Sequence, residues 1–183
     1  RVMFIIVFPI IFTSSVLAEP LLTLWLGNGF STNASLILKI LSIGVFANTL
    51  AQPPANLIQS QGNPKWMSIL HLGELPLYIF ALIAATKNYG VQGTAICWTS
   101  RMIIDCIAVY GISSKNLPRP NIPGTFYGAA IFCLLLLAPG YSINSAQGSF
   151  IYWVTGLIVY CVTTWTFLIS KNDKSNLLNY LRF

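Results

Sequence analysis

Apolar segments long enough to cross a lipid bilayer follow one another along this sequence. A transmembrane helix needs roughly 20 consecutive apolar residues, and the turns between the segments are short and rich in Gly, Asn, Ser and Pro. The sequence therefore predicts an all-α integral membrane protein, a bundle of about six transmembrane helices within residues 1–170. The predicted spans are about 2–18, 35–58, 66–86, 91–112, 124–138 and 150–170.

The composition excludes a soluble globular domain. Charged residues make up 8% of the chain and hydrophobic residues 55%, whereas ordinary soluble domains carry about 25% charged residues. The net charge of +6 does not indicate nucleic-acid binding, because the basic residues are spread between apolar segments rather than gathered in one patch. With a single His, no CxxC pair, no Gly-rich nucleotide loop and no Ser–His–Asp arrangement, we expect no metal site, no cofactor and no enzymatic activity.

The distribution of Lys and Arg predicts the orientation in the membrane. By the positive-inside rule the side with more basic residues faces the cytoplasm, which places the tail 171–183 there and the loops 19–33, 87–90 and 139–149 outside. The cytoplasmic set is Arg1, Lys65, Lys115, Arg119, Lys171, Lys174 and Arg182, against Lys39 and Lys87 outside. Because the sequence opens on Arg1 inside an apolar run, we interpret it as a piece of a longer protein. The alternative is a signal peptide cleaved after Ala18.

Four amide side chains share one face of the second segment. Their spacings of four, four and three keep them on one side of a helix, and Pro53-Pro54 should kink that helix. They are Asn48, Gln52, Asn56 and Gln59. Such amides either line a polar cavity or hydrogen-bond to neighbouring helices, and the spacing leaves both roles open. Lys39, near the outer end of this segment, is expected to snorkel toward water, although it could also help to release an anion.

Four ionisable residues lie at membrane depth, where charges are costly and usually serve a function. His71 and Glu74 share a face of the third segment, and Arg101 and Asp105 share a face of the fourth. Because the turn 87–90 is so short, these two helices should be antiparallel neighbours. That arrangement pairs Glu74 with Arg101 and His71 with Asp105. The group either fixes helix register or forms a site, with Arg101 binding an anionic headgroup and the other three acting in ion pairing or proton coupling.

Several short motifs in the first two thirds of the chain resemble the carboxy-terminal half of bacterial O-antigen flippases. These flippases belong to the superfamily that includes the multidrug and toxin extrusion transporters. The resemblance covers about residues 21–112. Its motifs are Leu21-Leu22-Thr23-Leu24-Trp25-Leu26-Gly27 with Phe30-Ser31, Ile40-Leu41-Ser42-Ile43-Gly44 with Asn48 and Pro53, Gln61-Gly62-Asn63-Pro64, Glu74-Leu75-Pro76-Leu77-Tyr78, and Gly93-Thr94-Ala95 with Trp98, Arg101 and Asp105.

This resemblance implies one lobe of a larger inner-membrane transporter that alternates access around a central cavity. The implied substrate is an O-antigen or polysaccharide repeat unit on undecaprenyl pyrophosphate. The implied partners are this lipid-linked oligosaccharide, membrane lipids and possible polysaccharide polymerases and glycosyltransferases. Glu74, Arg101 and Asp105 become candidate cavity charges. The alternatives are a drug/cation antiporter of the same superfamily, which should have an acid-lined apolar cavity, a membrane-embedded polysaccharide enzyme, and a non-functional remnant.

Overall fold

The computed structural model describes residues 2–62, 64–116, 124–137 and 146–168. Every described element is helical, which confirms the all-α class. The helices are α1 (Val2–Val16), α2 (Ala18–Leu26), α3 (Asn28–Ser60), α4 (Pro64–Asn116), α5 (Gly124–Leu137) and α6 (Ala146–Thr163), followed by the π-helical turn Thr164–Leu168. The predicted cytoplasmic tail, 171–183, lies outside the described residues, so the orientation stays a prediction.

Three of the described helices are long and apolar enough to cross a membrane, within α3, α4 and α6. The bent pair α1 and α2 makes a fourth if it counts as one span. α5, with 14 residues, is shorter than the roughly 20 residues that a span requires. Because at least three helices are long and apolar enough to span, the protein is a multi-pass helical membrane protein. The predicted number of six spans stays a prediction.

The prediction of a loop at residues 19–33 is wrong, because this stretch is helical on both sides of Gly27. The chain bends by 68° between α1 and α2, and the break falls at Leu17. Pro20 lies in the first turn of α2, where its missing N–H costs no helical hydrogen bond. Pro20 thus belongs to the start of a helix rather than to the loop after one. A second break at Gly27, with φ 79°, then leads directly into α3.

α4 is a helical hairpin. Gly90 reverses the chain with φ 59° and ψ −142°, a conformation that glycine adopts readily because it lacks a Cβ. The two arms, residues 64–89 and 91–116, have about 26 residues each, roughly 39 Å of helix, and each can cross the bilayer core. Near the turn, the hydroxyl oxygens of Thr86 and Thr94 lie 2.9 Å apart. The predicted antiparallel neighbours are confirmed.

Two apolar clusters hold the helices together. The larger joins α1 to α3, α5 and α6, and its buried members are Phe8, Ile11, Phe12, Val16, Phe46, Cys133, Leu137 and Tyr160. The smaller joins α3 to both arms of α4 and is formed by Ala55, Ile58, Met67 and Val109. Hydrogen bonds across the α3–α4 contact add to this packing. Thr99 Oγ1 donates to the Ile40 carbonyl at 3.0 Å, and the Tyr110 hydroxyl donates to the Leu50 carbonyl at 3.2 Å. α3 therefore positions the hairpin.

α3 and α4 pack closely at Gly44, which lies against Trp98. A Cβ at this position would lie 2.5 Å from Trp98 Cζ3, so Gly44→Ala should lower the free energy of unfolding by about 1–3 kcal/mol through overpacking. Gly73→Ala is the matched control, since no described atom lies within 4 Å of its added Cβ. Thermal unfolding in detergent should separate the two variants. Equal stability of Gly44→Ala and Gly73→Ala would contradict this packing.

Candidate functional site

The hairpin brings together the four ionisable residues that the sequence analysis singled out. Arg101 Nε lies 3.6 Å from Glu74 Oε2, and His71 Nδ1 lies 3.6 Å from Asp105 Oδ1. Each pair joins one arm of α4 to the other. Both predicted pairings are therefore confirmed, whereas the roles assigned to these residues stay predictions.

Glu74, Arg101 and Asp105 are largely buried but are not satisfied by hydrogen bonds, whereas His71 is half-exposed. At 3.6 Å the paired atoms are beyond ordinary hydrogen-bonding distance. Both carboxylate oxygens of Glu74, the Nε of Arg101 and Oδ1 of Asp105 are buried and have no hydrogen-bond partner among the described residues. Buried polar atoms usually have partners, and such exceptions call for an explanation. The arrangement has the capacity to accept a ligand that supplies the missing bonds.

A cavity of about 560 Å³ lies between the two arms, with Glu74 and Arg101 on its wall. Its other lining residues are mostly apolar, and it reaches along the hairpin to Tyr89 and Gly93, next to the turn. The Arg101 guanidinium carbon lies 4.6 Å from the centre of the Tyr78 ring, which gives this cation a second partner by cation–π attraction. The geometry combines an open, mostly apolar groove with one fixed cation and one fixed anion.

The four amides of α3 do not line the cavity between the arms. Asn48 and Gln52 are half-buried, while Asn56 and Gln59 are exposed. α3 continues as a helix through Pro53-Pro54, so the amide stripe is unbroken. Both of its possible roles, cavity lining and helix bridging, stay predictions.

The sequence interpretation missed a second polar stripe on α3. Its members are buried and recur at spacings of four, four and three: Ser31, Ser35, Lys39 and Ser42. Phe46 lies on the same face of α3 and packs against Phe8 of α1, so this face of α3 is directed at α1. The snorkelling predicted for Lys39 is wrong: the side chain is only 7% exposed, because α1 and α2 pack on α3. The spacing of four, four and three residues could have predicted this polar stripe from the sequence.

The long apolar helices and the antiparallel arms define a multi-pass helical membrane protein, and its α4 hairpin carries two ionisable pairs between its arms. Among curated proteins, the chain is 35% identical over 113 residues to one from Shigella flexneri named "Putative O-antigen transporter". The match covers 62% of this chain and 27% of the relative, so the chain spans about a quarter of that protein's length. No family model and no solved structure matches the chain.

Proposed function

We propose that the chain is part of a flippase that moves O-antigen or other polysaccharide repeat units, carried on undecaprenyl pyrophosphate, across the bacterial inner membrane. The membrane-spanning hairpin supplies the scaffold, and the similarity to the Shigella flexneri relative supports the substrate class. The observation that carries the proposal is the Arg101–Glu74 pair on the wall of a mostly apolar cavity. A lipid-linked diphosphate has the same two-part chemistry, a charged group joined to an apolar chain.

Each candidate residue receives a role under this proposal. Arg101 binds the pyrophosphate, because its planar donors match phosphate oxygens. Glu74, Asp105 and His71 hold the guanidinium before the substrate arrives or couple its movement to protons. The four amides of α3 form hydrogen bonds with sugar hydroxyls. The partners are the lipid-linked oligosaccharide, the surrounding lipids, and the polymerase and glycosyltransferases that act on it, and no covalent chemistry is required.

A drug/cation antiporter is the second candidate, because one observation favours it. The cavity between the arms is mostly apolar and carries the carboxylate of Glu74 on its wall. These are the features expected of a site for lipophilic cations. Arg101 argues against this function, since its charge lies in the same wall and repels cations.

Deleting the gene that encodes this chain in its own bacterium tests the proposal. Loss of surface polysaccharide, with lipid-linked repeat units building up in the inner membrane, is the expected result. Gel analysis of the surface polysaccharide and extraction of the lipid-linked units measure the two effects. Unchanged surface polysaccharide contradicts the flippase proposal, and a higher accumulation of cationic dyes in the deletion strain would favour the antiporter.

A further inference from the structure

Three potential metal ligands from the two arms of α4 converge on one point. One ligand atom each from His71, Glu74 and Asp105 lies within 4.8 Å of the other two. His71 and Glu74 are one helical turn apart on the first arm, and Asp105 faces them from the second. We propose that these three residues form a binding site for a divalent transition-metal ion of the Zn²⁺ class. This inference does not rest on the proposed transport function.

The distances suit such an ion. Zn²⁺ binds nitrogen and oxygen ligands at roughly 2.0–2.2 Å in a tetrahedral arrangement, which places ligand atoms about 3.4 Å from one another. His71 Nδ1 and Asp105 Oδ1 are already 3.6 Å apart. Glu74 completes the set by a rotation of its flexible side chain. Three protein ligands with a fourth position open to water or another ligand is a common arrangement for protein-bound zinc.

Buried carboxylate oxygens that lack hydrogen bonds provide a second indication of a ligand. Asp105 is only 8% exposed, yet its Oδ1 has no hydrogen-bond partner among the described residues. Both carboxylate oxygens of Glu74 are in the same condition. Within this group two carboxylates face one guanidinium, so the group is net negative while the imidazole is neutral. A divalent cation would offset the two carboxylate charges and supply the bonds that these oxygens lack.

Arg101 does not prevent this arrangement. Its Nε is 3.6 Å from Glu74, but the guanidinium also lies over the Tyr78 ring and keeps that partner when Glu74 turns to the metal. The half-exposed His71 side chain, at 48%, leaves an entrance for the ion. Because the set includes an imidazole nitrogen, it favours Zn²⁺ over Mg²⁺ or Ca²⁺, which prefer oxygen ligands alone.

Calorimetric titration of the purified chain in detergent with Zn²⁺ and, separately, with Mg²⁺ tests the proposal. We expect one Zn²⁺ per chain, no measurable Mg²⁺ binding, and at least tenfold weaker Zn²⁺ binding in His71→Ala and Asp105→Asn. Glu19→Gln is the matched control, since it removes one carboxylate from α2 and should leave the affinity unchanged. Full Zn²⁺ affinity in His71→Ala would overturn the proposal.

X-ray absorption of the Zn²⁺-loaded wild-type chain provides a measurement that needs no variant. The expected first coordination shell contains one imidazole nitrogen together with oxygen atoms. Cys106 follows Asp105 directly in the sequence, so Cys106→Ser should bind Zn²⁺ as the wild type does. A sulfur atom in the shell, or loss of binding in Cys106→Ser, would assign the ion to thiols and overturn the site proposed here.

Discussion

Under the proposed flippase function, Arg101→Ala should abolish export of the polysaccharide repeat unit, a larger loss than any fall in the amount of protein in the membrane can explain. The guanidinium is the cation on the wall of the cavity between the arms, and among the described residues that line this cavity no other side chain carries a positive charge. Without it, a bound pyrophosphate would face the carboxylate of Glu74 unopposed. Surface polysaccharide in cells that carry the variant gene, set against immunoblots of the membrane fraction, measures the effect.

Arg101→Lys is the matched control for this experiment. Lysine keeps the charge but loses the planar fork of donors that grips a phosphate bidentately. We therefore expect partial export, between the wild type and the alanine variant. Normal export in Arg101→Ala would exclude a phosphate-binding role. Loss of the protein from the membrane would show instead that Arg101 mainly holds the two arms together.

Reversing one charge of the Arg101–Glu74 pair should strongly destabilise the hairpin. Both side chains are largely enclosed, and removing one partner of a buried ion pair typically costs about 3–5 kcal/mol. We expect Glu74→Arg and Arg101→Glu each to lower the free energy of unfolding by an amount of this order. The double variant, which restores opposite charges across the arms, should regain a large part of the loss. Thermal or detergent-induced unfolding of the purified chains measures all three.

A new negative charge placed in the second pair is the comparison for this experiment. His71 is half-exposed, so His71→Glu places its new charge where water can screen it. Its effect should be clearly smaller than that of Arg101→Glu. If the double variant of Glu74 and Arg101 recovers nothing, the two side chains do not stabilise the fold through their mutual attraction.

The charged pairs could be predicted from the sequence because two simple rules determine them. Helical spacing places His71 with Glu74 and Arg101 with Asp105 on common faces, and a very short turn forces the two helices to run antiparallel. Residues at comparable distances from the turn can then meet, as Glu74 and Arg101 do at 13 and 11 residues from the ends of the predicted turn 87–90. Neither rule depends on the rest of the molecule, and both pairings are present in the structure.

The first third of the chain was harder to predict because its structure depends on contacts that the local sequence does not encode. Glu19-Pro20 reads equally well as the end of one helix or the first turn of another. The choice is made by the packing of α2 on α3. Lys39 illustrates the same limit, since an isolated lysine in an apolar segment is expected to snorkel. Lys39 is buried because α1 and α2 pack against α3.

The single non-helical residue between the two arms, Gly90, bears on how the protein enters the bilayer. An unpaired Asp, Lys or Arg at the centre of an isolated span costs about 2.5–3.5 kcal/mol on insertion. Here Glu74 and Arg101 lie on arms so closely linked that both arms can insert together, with their charges already compensated. The unit that leaves the translocon for the lipid is then the complete hairpin, and the ribosome must have synthesised past Asn116, the last residue of the second arm, before that step can occur.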